Sequence, residues 1–206
     1  NAMGWAMSAA HLFNIYWYPA QASATMSGEI RFNGRRLKLD HAPAYQDRNW
    51  GRSLPDWWTW LVSNRFKNSP GTVLAAGGGR PKTVGTNVLE GLTIGLRHEG
   101  IEHTFRPVDG DLMKVDIHFG KWEVQARNKR GERISISAYA PPEKFMDLKF
   151  TSPKGEEFHD YEALRGDLTL KLTKSNGKVI ELETNEAGIE WGSPNPAAPG
   201  TLQLSF

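Results

Sequence analysis

The chain has 206 residues, 39% of them hydrophobic, which suits one folded domain, and it has no apolar run of the ~20 residues that a membrane-spanning helix needs. Its 25 Lys and Arg are interleaved with 23 Asp and Glu, so a net charge of +2 without a basic face disfavours a nucleic-acid partner. The absence of cysteine excludes disulfides, thiolate catalysis and cysteine-bound zinc.

The first two residues, Asn1-Ala2, look like a tag remnant, so we expect a single domain over residues 3–206. Ala22-Ser23-Ala24 imitates a signal-peptidase site, but no basic segment and no clean apolar segment precede it. We therefore expect no signal peptide, and a cytoplasmic location or one at the periphery of a membrane.

Short β-segments separated by turn signals follow one another along the chain. Asn33-Gly34 and Asn176-Gly177 each stand between two such segments, as in β-hairpins. The segments 29–32 and 37–39 flank the first turn, and 168–172 and 179–182 flank the second. Residues 122–126 and 134–138 alternate apolar and polar around a turn at Lys129-Arg130-Gly131. This pattern predicts an all-β fold, an antiparallel sandwich or barrel with little helix.

Four other segments carry weaker signals. Asn87 to Leu96 fits a helix or a strand, and Asp160 to Leu164 fits a single helical turn. Gly77 to Pro81 is expected to be a loop, which at the mouth of a cavity could act as a lid. A surface segment over 193–200 is expected to precede a last short strand, Thr201 to Phe206.

The stretch from 43 to 60, PAYQDRNWGRSLPDWWTW, places one acid among four tryptophans. If Ala44 to Trp50 is extended, Tyr45, Asp47 and Asn49 share one face while Arg48 points the other way. Alternation in the next segment gives one row of Trp58, Trp60, Val62 and Asn64, and an opposite row of Trp57, Thr59, Leu61 and Ser63. Together these faces predict a dry aromatic cavity that holds one carboxyl group.

Such a cavity suggests a definite chemistry for Asp47. Burial disfavours the charged carboxylate, so the acid can stay protonated and deliver its proton to an alkene. Indole faces stabilise a cation by about 0.5–2 kcal/mol per contact. The simpler interpretation is a structural turn in which Asp47 accepts backbone N–H bonds and the tryptophans pack a core. The residues alone favour this simpler interpretation.

The same residues resemble the signature of the tocopherol cyclase family. The signature positions are Ala42-Pro43-Ala44-Tyr45, Asn49-Trp50-Gly51, Ser53, Pro55, Trp58, Trp60 and Asn64. Similar short matches follow in the family's order at Gly4-Trp5 with Ser8, Gly28 to Phe32, Ala75 to Gly78 with Arg80, Phe119-Gly120 with Trp122, and Gly166 to Leu168. The likeness covers nearly the whole chain and corresponds to the C-terminal half of a cyclase. Asp47 and Arg48 stand where the cyclases usually have Glu and Lys.

This resemblance implies a lipocalin-like (calycin) β-barrel that encloses an apolar, prenylated or polyene ligand. It implies acid-catalysed cyclisation, or hydration as in the related carotenoid hydratases, without metal or other cofactor. It favours catalysis over structure for Asp47 as proton donor, with Tyr45 as its partner. The residues expected to contact the substrate are Trp17, Asn49, Trp50, Trp58, Trp60, Asn64 and Trp122.

Two alternatives to an enzyme stay open. One is a lipocalin-like module that binds an apolar small molecule without changing it, and the other is one barrel of a larger assembly, such as a homodimer. A metal site is not expected, because His98 and His103 stand five residues apart across an expected turn at Gly100, unlike zinc-protease ligands on a helix.

Overall fold

The computed structural model describes residues 13–81, 90–152, 154–194 and 201–205, which form two antiparallel sheets. The first sheet is a long hairpin of β1 (Ile15–Phe32) and β2 (Arg35–Gly51). Asn33 and Gly34 connect the strands with φ angles of 48° and 73°, the left-handed pair that a two-residue hairpin turn requires. This predicted hairpin is confirmed.

The second sheet has eleven strands in the order β13-β7-β8-β9-β11-β12-β3-β4-β5-β6, with β10 paired to β11 as a branch. Its strands are β3 (Trp58–Ser63), β4 (Val73–Gly79), β5 (Gly91–His98), β6 (Ile101–Phe105), β7 (Leu112–His118), β8 (Lys121–Arg127), β9 (Arg133–Tyr139), β10 (Met146–Thr151), β11 (Glu157–Thr173), β12 (Val179–Ser193) and β13 (Thr201–Ser205). Two single 3-10 turns, Pro107–Asp109 and Pro142–Lys144, complete the described elements. The sheet curls into a nearly closed barrel, so the predicted all-β, lipocalin-like class is confirmed.

Strand alternation builds the apolar core. In β8 and β9 every second side chain is buried, which places Trp122, Val124, Ile134 and Ile136 inside and mostly polar or charged residues outside. Burying one such side chain contributes about 1.5–3 kcal/mol, so this single layer is a large part of the stability. The largest fully buried side chains are Trp122, Trp191, Phe105, Leu61, Leu74 and Leu92.

Five neighbouring strands are packed on both faces: β11, β12, β3, β4 and β5. Residues paired across neighbouring strands point to the same side of a sheet. One row, Ala163, Ile189, Leu61, Ala76 and Ile94, belongs to the core. The adjacent row, Glu162, Glu190, Trp60, Gly77 and Thr93, therefore lies on the opposite face.

The hairpin covers this second face. The Asn64 amide donates a hydrogen bond to the Ala44 carbonyl (2.9 Å), and a Cβ on Gly77 would lie 3.3 Å from the Trp17 ring. The Asn14 amide donates to the Ser53 hydroxyl at 2.8 Å, which ties the start of β1 to the segment after β2.

In the part of the chain that the structure describes, no helix has the length and apolarity of a membrane span.

Two local predictions are wrong. Gly77 to Gly79 is not a loop but the end of β4, hydrogen-bonded to strands on both sides, and this removes the basis for a lid. Asp160 to Leu164 is not a helical turn but part of β11. Gly91 to Leu96 is strand, while residues 87–89 and 195–200 lie outside the described residues. The last strand is confirmed over Thr201–Ser205.

Candidate functional site

A cavity of about 1300 Å³ separates the hairpin from the covered face of the barrel sheet. Its walls are aromatic side chains from both sheets, and its lining includes five carboxyl groups, Asp47, Glu90, Asp160, Glu162 and Glu190. The prediction of an aromatic cavity with a single carboxyl group is therefore wrong in its count of acids. The cavity is also not the barrel core, because its lining alternates with the core residues along each strand.

Asp47 lies on β2 facing the cavity, held by two side-chain donors. The Trp17 indole N–H donates to Asp47 Oδ2 at 2.7 Å, and the Tyr45 hydroxyl donates to the same oxygen at 3.1 Å. Strand alternation explains the geometry, because Tyr45 and Asp47 are two residues apart on one face. Both bonds fix Oδ2, so the orientation of the carboxyl group is set by the protein.

Tyr45 connects Asp47 to the barrel. Its hydroxyl accepts a hydrogen bond from the Trp60 indole at 3.4 Å, and the two rings meet edge to face at 5.3 Å between centroids. Burial raises the pKa of Tyr45 above its usual range, and the Asp47 carboxylate adds to the rise. Tyr45 therefore remains a hydrogen-bond donor throughout the physiological range of pH.

Three further carboxyl groups that we did not predict stand on the barrel side of the cavity. Asp160 and Glu162 come from β11 and Glu190 from the neighbouring β12. Their oxygens all lie within 4.8 Å of one another. The sequence around Asp160 shows no simple apolar–polar alternation, because one face of this part of β11 packs on the core and the other lines the cavity.

Burial changes the protonation of these acids. It raises the pKa of Glu190 well above the usual range, with Asp160 as the next cause, and raises that of Asp160 to about 6. It also raises the pKa of Glu162, to which the charge of Asp47 contributes. Within the described part of the chain, no Lys, Arg or His forms an ion pair with Asp47 or with these three acids.

Trp58 joins the acids to the aromatic wall. Its indole N–H donates to Glu190, and its ring lies 6.1 Å from Phe150 and 6.0 Å from Phe158 between centroids. The ring lies over Gly192, its partner on β12, where any Cβ would overlap it. Glycine at this position is thus what allows the indole to lie flat on the sheet.

The structure brings together six of the nine residues predicted for the site: Trp17, Tyr45, Asp47, Asn49, Trp58 and Trp60 all line the cavity. Trp50 instead stacks on Tyr16 at 5.6 Å, and Asn64 serves as the hydrogen-bond donor that holds the hairpin. Trp122 is fully buried in the core, on the other side of the sheet. These last three do not reach the cavity.

The three acids also form the one set of described side chains that offers several metal ligands close together. Carboxylate oxygens suit hard cations such as Ca²⁺ or Mg²⁺. His98 and His103 have other partners: the His98 ring bonds Thr72 at 2.9 Å, and the His103 ring bonds Glu132 at 2.8 Å. Arg80 and Glu90 pair with each other at the cavity wall.

The site therefore combines an oriented carboxyl group, a second group of acids with raised pKa values, and indole faces around an apolar space. Protonated carboxyl groups donate protons, ionised ones accept them, and aromatic faces attract cations. This set of groups is suited to acid–base chemistry on an apolar ligand.

Comparison with known proteins places this chain in a family. The profile of the tocopherol cyclase-like family matches residues 1–193. The chain is 31% identical over 200 residues to a probable chloroplastic tocopherol cyclase of Oryza sativa subsp. japonica and 32% identical to the chloroplastic tocopherol cyclase of Zea mays. Each match covers 93% of this chain and 42% of the relative.

A solved structure similar to this chain is kievitone hydratase from Nectria haematococca, with 15% identity and a TM-score of 0.48 over 88% of this chain and 54% of that one. By the cyclase matches, the chain spans less than half the length of the two curated cyclases. The profile match over most of its residues shows that the chain belongs to the tocopherol cyclase-like family.

Proposed function

We propose that this protein catalyses the acid-catalysed addition of an oxygen nucleophile to a C=C bond of a prenyl-type lipid. If the oxygen belongs to a phenol in the same molecule, the product is a ring; if it is water, the product is an alcohol. The observation that carries the proposal is the oriented Asp47, held by Trp17 and Tyr45 in a cavity walled by tryptophans.

In this reaction Asp47 is the proton donor. The Trp17 N–H and the Tyr45 O–H both donate to Oδ2, so when Asp47 takes up a proton for the reaction, that proton is carried on Oδ1 and passes from there to the alkene carbon. The resulting tertiary cation lies against the rings of Trp17, Trp58 and Trp60, each worth about 0.5–2 kcal/mol of stabilisation. The phenol or water oxygen then forms the C–O bond, and the proton lost from that oxygen returns Asp47 to its acid form. Asn49, on the same face as Asp47, orients the oxygen of the substrate.

The test is turnover of two probe substrates, an ortho-prenylated hydroquinone and an acyclic polyene, followed by mass analysis of the products. Wild type is expected to form a chromanol from the first or a mono-alcohol from the second, and Asp47→Asn is expected to lose activity at least about 100-fold, as for removal of a general acid. Asp40→Asn, on the exposed part of the same strand, is the matched control and should retain activity.

The second candidate is a binding protein for an apolar small molecule. It is supported by the same hydrogen bonds, because Asp47 accepting from Trp17 and Tyr45 also serves as a purely structural element. Equal binding of the probes by wild type and Asp47→Asn, with no product from either, would establish this candidate and contradict catalysis.

A further inference from the structure

The far end of the hairpin, residues 25–38, is exposed on both of its faces, and we call it the tip. Asn64 bonds the hairpin at Ala44, and in the described part of the chain the hydrogen bonds and ion pairs of the tip all stay within the hairpin. At about 3.3 Å per residue, each strand of the tip runs for roughly 25 Å. A two-stranded ribbon with no covering layer is only marginally stable in water, so the tip is suited to being covered from outside.

One face of the tip is apolar. Paired residues of antiparallel strands point to the same side, and so do alternate residues along one strand. Ile30 pairs with Leu37, and alternation along β1 adds Met26 and Phe32 to the same face. Phe32 is 67% exposed, and the other three are 43–53% exposed. Exposed apolar side chains that lie together mark a surface for interaction.

The rest of the tip is basic. On the opposite face Arg31 pairs with Arg36, and Lys38 pairs with Glu29. With Arg35 at the turn, the tip has four basic side chains and one acid, a net charge of +3 in a chain whose total is +2. Glu29 binds Arg31 and Arg36 at 2.8 and 2.9 Å, and no ion pair among the described residues engages Arg35 or Lys38.

We propose that the tip docks this protein on the surface of an anionic lipid membrane. The apolar face enters the boundary between headgroups and acyl chains, and the basic side chains bind the lipid phosphates. The docking is shallow, because the free edges of a two-stranded ribbon carry backbone N–H and C=O groups that need water as a partner.

The charge of the tip fits a lipid surface better than a second copy of this chain. In a two-fold dimer the same patch meets itself, so two tips of charge +3 would come together. Arg35 pairs with Phe32 and lies on the apolar face, which places a cation inside such a contact. An anionic membrane instead offers opposite charge to the basic side chains and an apolar layer to the others.

The tip is continuous with the candidate site. Its two strands run on into the wall of the cavity, where Trp17 and Asp47 lie. A docked tip therefore holds the cavity close to the layer in which a prenyl-type lipid dissolves. This link rests on the proposed function, whereas docking itself does not, and it is measurable without any substrate.

Vesicle binding measures the docking. Wild type should bind phosphatidylcholine vesicles that contain about 30% phosphatidylglycerol, and bind pure phosphatidylcholine vesicles at least about ten times more weakly. Leu37→Ser should weaken binding to the anionic vesicles about tenfold. Val179→Ser is the matched control and should bind as wild type does, because Val179 is 48% exposed, compared with 53% for Leu37, and follows the other Asn-Gly turn. Arg35→Glu combined with Lys38→Glu should remove the preference for phosphatidylglycerol.

A fluorescent label tests the docking without weakening the tip. Because the chain has no cysteine, an environment-sensitive dye can be attached to Phe32→Cys or, as a control, to Val179→Cys. Addition of the anionic vesicles should shift the emission of the dye at position 32 to shorter wavelength and leave the dye at position 179 unchanged.

Three results would overturn the proposal. They are wild type that does not bind the anionic vesicles, Leu37→Ser that binds them as wild type does, and a label at position 32 whose emission does not change. A wild-type dimer that Leu37→Ser converts to a monomer, without vesicle binding, would show that a second copy covers the tip. None of these measurements involves turnover, so a failure of docking leaves the proposed function standing, and a failure of turnover leaves docking standing.

Discussion

At the scale of single residues, the buried acids of the cavity lower the stability of the fold when they ionise. Burial raises the pKa of Asp160 to about 6 in the folded protein, compared with an ordinary value of 3.8. The folded state therefore binds more protons than the unfolded state between these values. The stabilisation that comes from this extra proton on Asp160 is largest below pH 4 and is lost as the pH rises through 6.

Asp160→Asn removes this penalty. Relative to wild type, the variant should gain stability as the pH rises from 4 to 7, by about 1–2 kcal/mol once the partial exposure of the group is allowed for. The measurement is the difference in the free energy of unfolding in urea at several pH values between 4 and 7.5. A difference that does not change with pH would show that Asp160 titrates normally.

At the scale of strands, the site depends on tryptophans that lie flat over glycines. Trp58 covers Gly192 on the neighbouring strand, and a Cβ on Gly188 would lie 2.8 Å from the Trp60 ring. A strand that carries two such rings needs a neighbour without side chains at these points. The glycines of β12 are thus part of the site although they carry no chemistry.

Gly192→Ala should therefore destabilise the protein by about 1–3 kcal/mol, the usual cost of overpacking. Gly91→Ala is the matched control, because Gly91 lies on the same row of the sheet and a Cβ there meets no atom within 4 Å. Thermal or urea unfolding measures both. In the background of Trp58→Ala the Gly192→Ala change should cost much less, and an unchanged cost would show that the ring is not the obstacle.

Local signals predicted those elements whose conformation is set by a few adjacent residues. The Asn33-Gly34 turn needs only its own two residues, and the alternation in β8 and β9 follows from one buried and one exposed face. The predictions for parts of β4 and β11 were wrong because the conformation there depends on residues far away in the sequence. In the sequence Gly77 is typical of a loop, whereas in the structure it lies in a strand against the Trp17 ring. Asp160 is untypical of a buried strand, but its side chain faces the cavity.

The candidate site was predictable on the hairpin and not on the barrel. Tyr45 and Asp47 lie close together in sequence and in a recognisable signature, so alternation alone places them on one face. Glu190 is 143 residues after Asp47, and its place in the cavity follows only from the register of β12 against β3. Trp122 has the same strand signal as Trp60, but a sequence does not say which face of a sheet is covered by a second sheet.

At the scale of the whole molecule, the cavity exists because the hairpin lies over the barrel. The contacts that join the two sheets are few beside the hydrogen-bonded ladders within each. They include the Asn64 bond to Ala44, the Tyr45–Trp60 ring contact and the packing of Trp17 on Gly77. We expect the hairpin to open more readily than the barrel, because regions with few buried contacts have lower local stability.

Asn64→Ala tests this arrangement. The variant loses the hydrogen bond to Ala44, worth about 1 kcal/mol, so the amides of the hairpin around Asp47 should exchange with deuterium roughly five times faster. The amides of β8 and β9 should be unaffected. Ser137→Ala, which removes a bond to Glu123 on the barrel surface, is the control and should not change exchange in the hairpin. Equal acceleration in both sheets would show that the hairpin and the barrel unfold as one unit.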